Sequence, residues 1–254
     1  MTDTHKSIMI TGASSGIGQA LALEYAGPGV NLALCGRNHD RLSTVVDACL
    51  SKGAEVTSRI LDLQDRALTS EWVLETDRRA PLDLLIANAG ISSGTGVSGN
   101  EEEQTHDIFA VNVNGTLNTI LPLIEPMKKR QRGQIAMVSS LAGFRGLPTA
   151  PAYGASKAAI RSYGEGLRGR LASDGIQVNV ICPGFVSSRI TDTNTFQMPF
   201  FMESDRAARL IRRGLAKNKP RIAFPWQMYG LTLLIGALPL RWTDGLLSRG
   251  PKKV

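Results

Sequence analysis

The sequence predicts a single α/β domain built on a parallel, doubly wound sheet. Three observations carry that reading. Strand-like apolar runs alternate with helical patterns at intervals of roughly 25–35 residues, the rhythm of repeated strand–helix units. The first run leads through a glycine-rich turn directly into a helix. Three later runs end in polar clusters: Asn88, Ser139-Ser140, and Pro183-Gly184 with Ser187-Ser188. That edge of an open α/β sheet is where ligands bind.

Ser7-Ile8-Met9-Ile10-Thr11 is the first strand, and Gly12-Ala13-Ser14-Ser15-Gly16-Ile17-Gly18 follows it. The glycines permit a tight turn and a close approach of backbone to ligand. A helical pattern through Leu21, Ala22 and Tyr25 then sets a helix N-terminus against the turn, a natural phosphate site. The spacing is Gly-x-x-x-Gly-x-Gly, not the Gly-x-Gly-x-x-Gly of the general dinucleotide fingerprint. Val30 to Cys35 is the second strand and ends at Gly36-Arg37-Asn38. In a dinucleotide fold an acid at this point would hold the ribose 2′-hydroxyl of NAD. Gly36 stands there instead, and the guanidinium of Arg37 suits a 2′-phosphate. NADP(H) is therefore the expected cofactor, with NAD(H) as the alternative.

Arg41 to Ser51 is helical in pattern, and Glu55 to Leu61 is a third strand followed by Asp62-Leu63. Ala67 to Arg79 is helical and Pro81 stops it. Leu82 to Ala87, the fourth strand, runs into Asn88-Ala89-Gly90, after which Ile91 to Asn100 reads as a Ser/Gly-rich loop. Glu101, Glu102 and Glu103 open the next helix, where acids complement its dipole. Asn112 is polar within an apolar part of that helix and needs partners. It is either structural glue or part of a site. Gln134 to Val138 is a fifth strand, and Gln177 to Ile181 a sixth.

Between them a Gly/Pro-rich loop, Gly143 to Pro151, leads into Tyr153-Gly154-Ala155-Ser156-Lys157. Positions four apart share one face of a helix, so the phenol and the ammonium lie side by side. A neighbouring cation favours the phenolate and is expected to lower the Tyr153 pKa. The pair then forms a general acid/base suited to neutral pH.

Thr11-Gly-x-x-x-Gly-x-Gly18, Asn88-Ala89-Gly90, Asn112, Ser140 and Tyr153-x-x-x-Lys157 together resemble the short-chain dehydrogenase/reductases, in order and in spacing, over residues 5–190. The resemblance implies one Rossmann-type domain over residues 1–224, with a seven-stranded parallel sheet, helices on both faces and the last strand near Pro220 to Phe224. It implies hydride transfer between a nicotinamide and a ketone or secondary alcohol. Tyr153 would then be the acid/base at the reacting oxygen. Lys157 would lower its pKa and bind the nicotinamide ribose. Ser140 would hold the substrate oxygen, and Asn112 a water in the proton relay behind Lys157. The cofactor would lie on Gly12, Ser14, Ser15, Gly16, Ile17 and Gly18, with Arg37, Asp62 and Leu63 around the adenosine. Asn88, Ala89 and Gly90 would line the cleft, with Pro183, Gly184, Val186 and Ser188 at its nicotinamide end. Ser188 stands where threonine is more usual. Ser15 stands where many NADP-binding members carry a basic residue, which leaves the NADP(H) reading on Arg37 and the absent acid. A homodimer or homotetramer is expected.

The segment 185–218 would form the substrate lid, and its Phe196, Met198, Phe200, Phe201 and Met202 suggest an apolar, lipid-like substrate. Beyond it, residues 225–254 form a hydrophobic and basic extension of helical character. Pro225 and Pro239 bracket a helix too short to span a bilayer. The net charge is +7, yet residues 206–254 hold 11 Lys and Arg against one acid, leaving 18 against 21 in residues 1–205. A basic tail rich in Trp226, Tyr229 and Trp242 suits a peripheral contact with an anionic membrane or packing on a second subunit, not nucleic acid. In character it is similar to the membrane-associated tails of hydroxysteroid and ketosphinganine-type reductases. Three cysteines, Cys35, Cys49 and Cys182, give no disulfide framework, and the scattered histidines no metal site. The polar start from Met1 to Lys6 gives no secretory leader, so a cytoplasmic protein is expected, with the inner face of the membrane as the alternative location. A second enzyme reading is a soluble reductase of small or sugar-derived carbonyls whose tail serves oligomerisation. A third, of another class, is a regulatory NADP-binding protein without turnover.

Overall fold

The computed structural model describes residues 5–92, 100–192, 194 and 196–247. Residues 1–4, most of the Ser/Gly-rich loop (93–99), and Arg249, Lys252 and Lys253 of the basic tail lie outside the described residues. Seven parallel strands form one sheet: β1 (Ser7–Thr11), β2 (Asn31–Gly36), β3 (Glu55–Ile60), β4 (Leu84–Ala87), β5 (Gly133–Val138), β6 (Ile176–Pro183) and β7 (Arg221–Phe224). Their spatial order is β3-β2-β1-β4-β5-β6-β7. The chain builds outward from β1 on one side, then returns to start again at β4. The crevice beyond the C-terminal ends of β1 and β4 lies at this reversal.

The central strands are buried because helices cover both faces. Every residue of β1, β4 and β5 is buried, as expected of parallel strands with no solvent face. Along β1, Ile8 and Ile10 join a core with Leu21, Leu34, Val45 and Ile211. Met9 points the other way, into a core with Trp72, Leu85, Leu123 and Met137. That alternation is the period of two of a strand. The first core lies under α1 (Gly16–Tyr25), α2 (His39–Ser51) and α8 (Ser204–Ala216); the second lies under α3 (Arg66–Arg79), α5 (Thr116–Lys129) and α6 (Pro151–Leu171). Cys35, Cys49 and Cys182 are buried in the protein.

One local feature departs from the sequence reading. The helix opened by Glu101 is not regular: α4 (Glu101–Phe109) passes into a π-helical turn, Ala110–Gly115, before α5. Ser204 is the first residue of α8; Glu203 is the N-cap without a side-chain bond, and the Ser204 N–H is taken by Ser187 Oγ at 2.8 Å. In α8, Ala207, Ala208, Ile211 and Leu215 are buried in the first core, and the short α7 (Arg189–Asp192) precedes it.

The extension folds as two helices, α9 (Trp226–Ala237) and α10 (Leu240–Leu247), broken at Pro239. No helix among the described residues is long and apolar enough to cross a membrane.

Candidate active site

The glycine turn after β1 is set by backbone geometry. Gly12 and Gly16 have φ of +65° and +55°, the left-handed region that a side chain resists. A Cβ on Gly16 would also press on Ser188 at 2.8 Å. Ser15 is the N-cap of α1 but makes no side-chain capping bond, and no acid occupies the first turn. The first N–H groups of α1 are therefore not claimed by their own cap. Gly18 does not reach the cleft. It is buried, and a Cβ there would collide with the Gly12 carbonyl and Asn88 Nδ2, so this glycine lets helix and strand pack closely.

Thr11 ties the turn to the end of β4. Its Oγ1 accepts from the N–H of Asn88 at 3.1 Å and of Ala89 at 3.2 Å. The Asn88 side chain donates back to the carbonyls of Thr11 at 3.0 Å and Gly12 at 3.2 Å. Asn88 thus lines the cleft as a strap, its amide already engaged.

A cleft of about 380 Å³ runs over this turn. Gly12, Ser14, Ser15, Gly16 and Ile17 floor it. Arg37, Asp62 and Leu63 stand at one end; Ala89, Gly90, Pro183, Gly184, Val186 and Ser188 line the rest together with Ser140, Tyr153 and Lys157. Arg41 lines it too, a second cation that sequence reasoning did not single out. The signal was its spacing of four from Arg37 across the N-cap Asn38, whose Oδ1 accepts the Arg41 N–H at 3.0 Å. Both arginines are exposed, and among the described residues no ion pair engages either guanidinium.

Tyr153 and Lys157 lie on the first turns of α6. Lys157 is 4% exposed, and its Nζ donates to the Val138 carbonyl at 3.0 Å. The ammonium lies 5.7 Å from the Tyr153 ring centroid. A Cβ on Gly90 would sit 3.2 Å from Lys157 Nζ, so glycine keeps that space open. Burial pulls the Lys157 pKa down to about 8. For Tyr153 the sequence expectation of a lowered pKa does not hold in this structure. Burial pushes the phenol up, and a hydrogen bond with Ser140 offsets only part of the rise. Proximity of a cation was legible from spacing; burial of the hydroxyl was not.

Of the two adjacent serines, Ser140 is the one turned to the site. Ser139 Oγ is spent on the Lys157 carbonyl at 2.7 Å. Ser140 Oγ accepts from the Ala142 N–H at 3.1 Å and makes a long contact of 3.4 Å to the Pro183 carbonyl. Asn112 does not reach the cleft wall. It lies behind, in the π turn, with Oδ1 accepting from the Ile91 N–H at 2.8 Å. Its Nδ2 donates to the Ile91 carbonyl and to Ser156 Oγ, both at 3.0 Å. The π turn gives Asn112 this position, between the loop after β4 and helix α6.

A second cavity, about 430 Å³, opens beside the first. Leu141, Leu147, Phe185, Phe196, Met228 and Ile235 are among its walls. Ser140, Tyr153, Gly184, Ile190 and Thr191 line both cavities. Tyr153 and Ser140 therefore sit at the junction of a polar cleft and an apolar pocket.

Comparison with known proteins places this geometry in context. The model of the short chain dehydrogenase family matches residues 6–198. A protein of Myxococcus xanthus described as an uncharacterized oxidoreductase is 38% identical over 247 residues, covering 97% of this chain and 98% of its own. Among solved structures, a short-chain dehydrogenase from Sphingobium yanoikuyae in complex with NADPH superposes with a TM-score of 0.78 at 23% identity, covering 98% of this chain and 97% of that one. A short chain dehydrogenase from Mycobacterium paratuberculosis bound to NAD gives 0.72 at 24% identity, covering 86% and 94%.

Proposed function

The chain belongs to the short-chain dehydrogenase family, and on that premise we propose that it is an NADP(H)-dependent oxidoreductase of ketones or secondary alcohols with hydrophobic, lipid-like substituents. The observation that carries the proposal is the meeting of the two cavities at Ser140 and Tyr153. The residues of the polar cleft fit a dinucleotide. The turn needs two glycines at positive φ, the residues at the start of α1 line the cleft without a side-chain cap bond, and Arg37 and Arg41 supply charge for a 2′-phosphate. No acid ends β2, where Gly36 stands.

When bound, the nicotinamide supplies the hydride to a carbonyl carbon, or takes it back from an alcohol carbon. In the reductive direction Tyr153 gives its phenolic proton to the carbonyl oxygen, so the substrate gains one hydride and one proton and leaves as the alcohol. Ser140 holds the same oxygen in place. Lys157 supplies positive charge that steadies the phenolate left behind. Asn112 fixes the loop after β4 against α6 and so fixes Lys157 relative to Gly90.

The pKa directions give this chemistry a pH dependence. A phenol pushed up by burial stays protonated through neutral pH and is ready to act as an acid. Lys157 loses its charge as pH rises through about 8. With NADPH in excess, kcat/KM for ketone reduction, followed by the loss of NADPH absorbance, is expected to be level on the acid side of that value and to fall above it. A profile that stays level well into the alkaline range would remove Lys157 from this role.

The outward side chains of the extension support a contact of some kind beyond the monomer. Trp226, Leu231, Leu234, Leu240 and Trp242 are all more than half exposed. A lipid surface and a second copy of the chain are the two occupants in view. Flotation with anionic vesicles separates them: a lipid contact carries the protein up with the vesicles, and a subunit contact leaves it behind as an oligomer.

A further inference from the structure

We propose that Arg145 makes the apolar cavity a carboxylate-recognising site, so that the substrates are amphipathic oxo acids and the matching hydroxy acids, with the apolar body along the cavity and the carboxylate on the guanidinium. The proposal rests on the oxidoreductase reading above and deepens it by naming the substrate class.

Arg145 lines the same cavity as Tyr153 and Ser140. Among the described residues of that wall it is the one charged side chain; its neighbours include Leu141, Leu147, Phe185 and Phe196. Arginine stays protonated in a protein, and this one is only 13% exposed along its side chain. A charge so far removed from water is costly unless it is well paired, and it acts strongly on whatever enters beside it.

The partners of Arg145 use little of it. Nη2 donates to Thr243 Oγ1 and to Asp244 Oδ1 of α10, each at 2.8 Å. Nε is buried and reaches no acceptor. Nη1 makes no hydrogen bond among the described residues. The guanidinium carries five N–H groups, and both bonds fall on one of its nitrogens. Asp244 is itself 66% exposed, so water screens that pair from outside. The cavity wall supplies no acid to answer it. A bound carboxylate fills that role. A phosphate would bring a second negative charge with no second cation to meet it, and a neutral ketone would leave the guanidinium desolvated without compensation.

The chain also fixes where the guanidinium starts from. Arg145 follows Ser140 by five residues, across the short turn Leu141–Gly143. Phe144, just before it, is held on its ring by Arg161 at 4.5 Å and Arg221 at 5.1 Å, with Tyr229 edge-on at 5.6 Å. The hydroxyl for the reacting oxygen and the cation for the acid end therefore belong to one anchored segment.

The test measures kcat/KM with NADPH on the full-length protein, for 7-oxooctanoate and 5-oxohexanoate and for the methyl ester of each. In the wild type at least one acid is expected to be favoured over its ester by about tenfold or more, the range of a hydrogen bond to a charged group. Arg145→Gln is expected to remove that preference. Asp244→Asn removes the competing carboxylate and is expected to raise it. If Arg145 only holds α10, the two substitutions break the same contact and shift the ratio alike, and that result overturns the proposal. Wild-type protein that binds NADPH but favours neither acid over its ester overturns it too. NADPH affinity, followed by nicotinamide fluorescence, is expected to be the same in all three proteins, which also reports that they fold. Failure of the wild type to bind NADPH would instead overturn the oxidoreductase reading beneath it.

Discussion

Tyr153→Phe is expected to lower ketone reduction by about 10³-fold, within the range contributed by a positioned general acid. The substitution removes only the hydroxyl. The ring keeps its place above Lys157, 5.7 Å from the ammonium, and Ser140 retains its bonds with the Ala142 N–H and the Pro183 carbonyl. The cleft floor from Gly12 to Ile17 lies on another element, so NADPH affinity is expected to stay close to that of the wild type. Steady-state turnover and a fluorescence titration on the same preparation separate the two effects. Full turnover in the variant would mean that the proton comes from elsewhere. Lost NADPH binding would mean that Tyr153 holds the cofactor rather than the reacting oxygen.

The second large effect falls on stability. Asn112→Leu removes three hydrogen bonds at a site that is 1% exposed. It leaves the N–H and the carbonyl of Ile91 without their partner and frees Ser156 Oγ, which keeps only the Tyr153 carbonyl at 2.8 Å. A buried polar group left unpaired costs about 1–3 kcal/mol, so a loss of about 3–5 kcal/mol is expected. For a chain of this size that corresponds to a fall in Tm of about 10 °C. Thermal unfolding of the two proteins, followed by circular dichroism, checks it. A change of only a degree or two would mean that the loop after β4 does not depend on Asn112, and that its role lies in proton relay instead.

Different physics decided which parts were readable from the sequence. The strand–turn–helix at Gly12 to Gly18 was legible because glycine adopts such φ values at least cost, and the apolar run Ile8-Met9-Ile10 marked a strand. Tyr153 and Lys157 were legible as a pair because the helical period brings them together. Their pKa values were not, because burial depends on Ser140, Val138 and the sheet end, which come from distant parts of the chain. The π turn at Ala110–Gly115 leaves no mark in residue type, so Asn112 could be read equally as glue or as a site residue; its bonds to Ile91 and Ser156 show how it is held. Helix α9 was the least legible. Apolar residues stand all round it, and no pattern told which face would meet the core until Met228, Thr232 and Ile235 were seen lining the second cavity.

The oxidoreductase reading and the preference for NADP(H) meet in one measurement: separate titrations of NADPH and NADH into the purified protein, followed by nicotinamide fluorescence. The expected result is tight NADPH binding and much weaker NADH binding, because Arg37 and Arg41 bear on the one chemical difference between the two cofactors. Equal or reversed affinities would contradict the role given to those arginines. Binding of neither would contradict the whole assignment of the cleft, from Gly12 to Ser188.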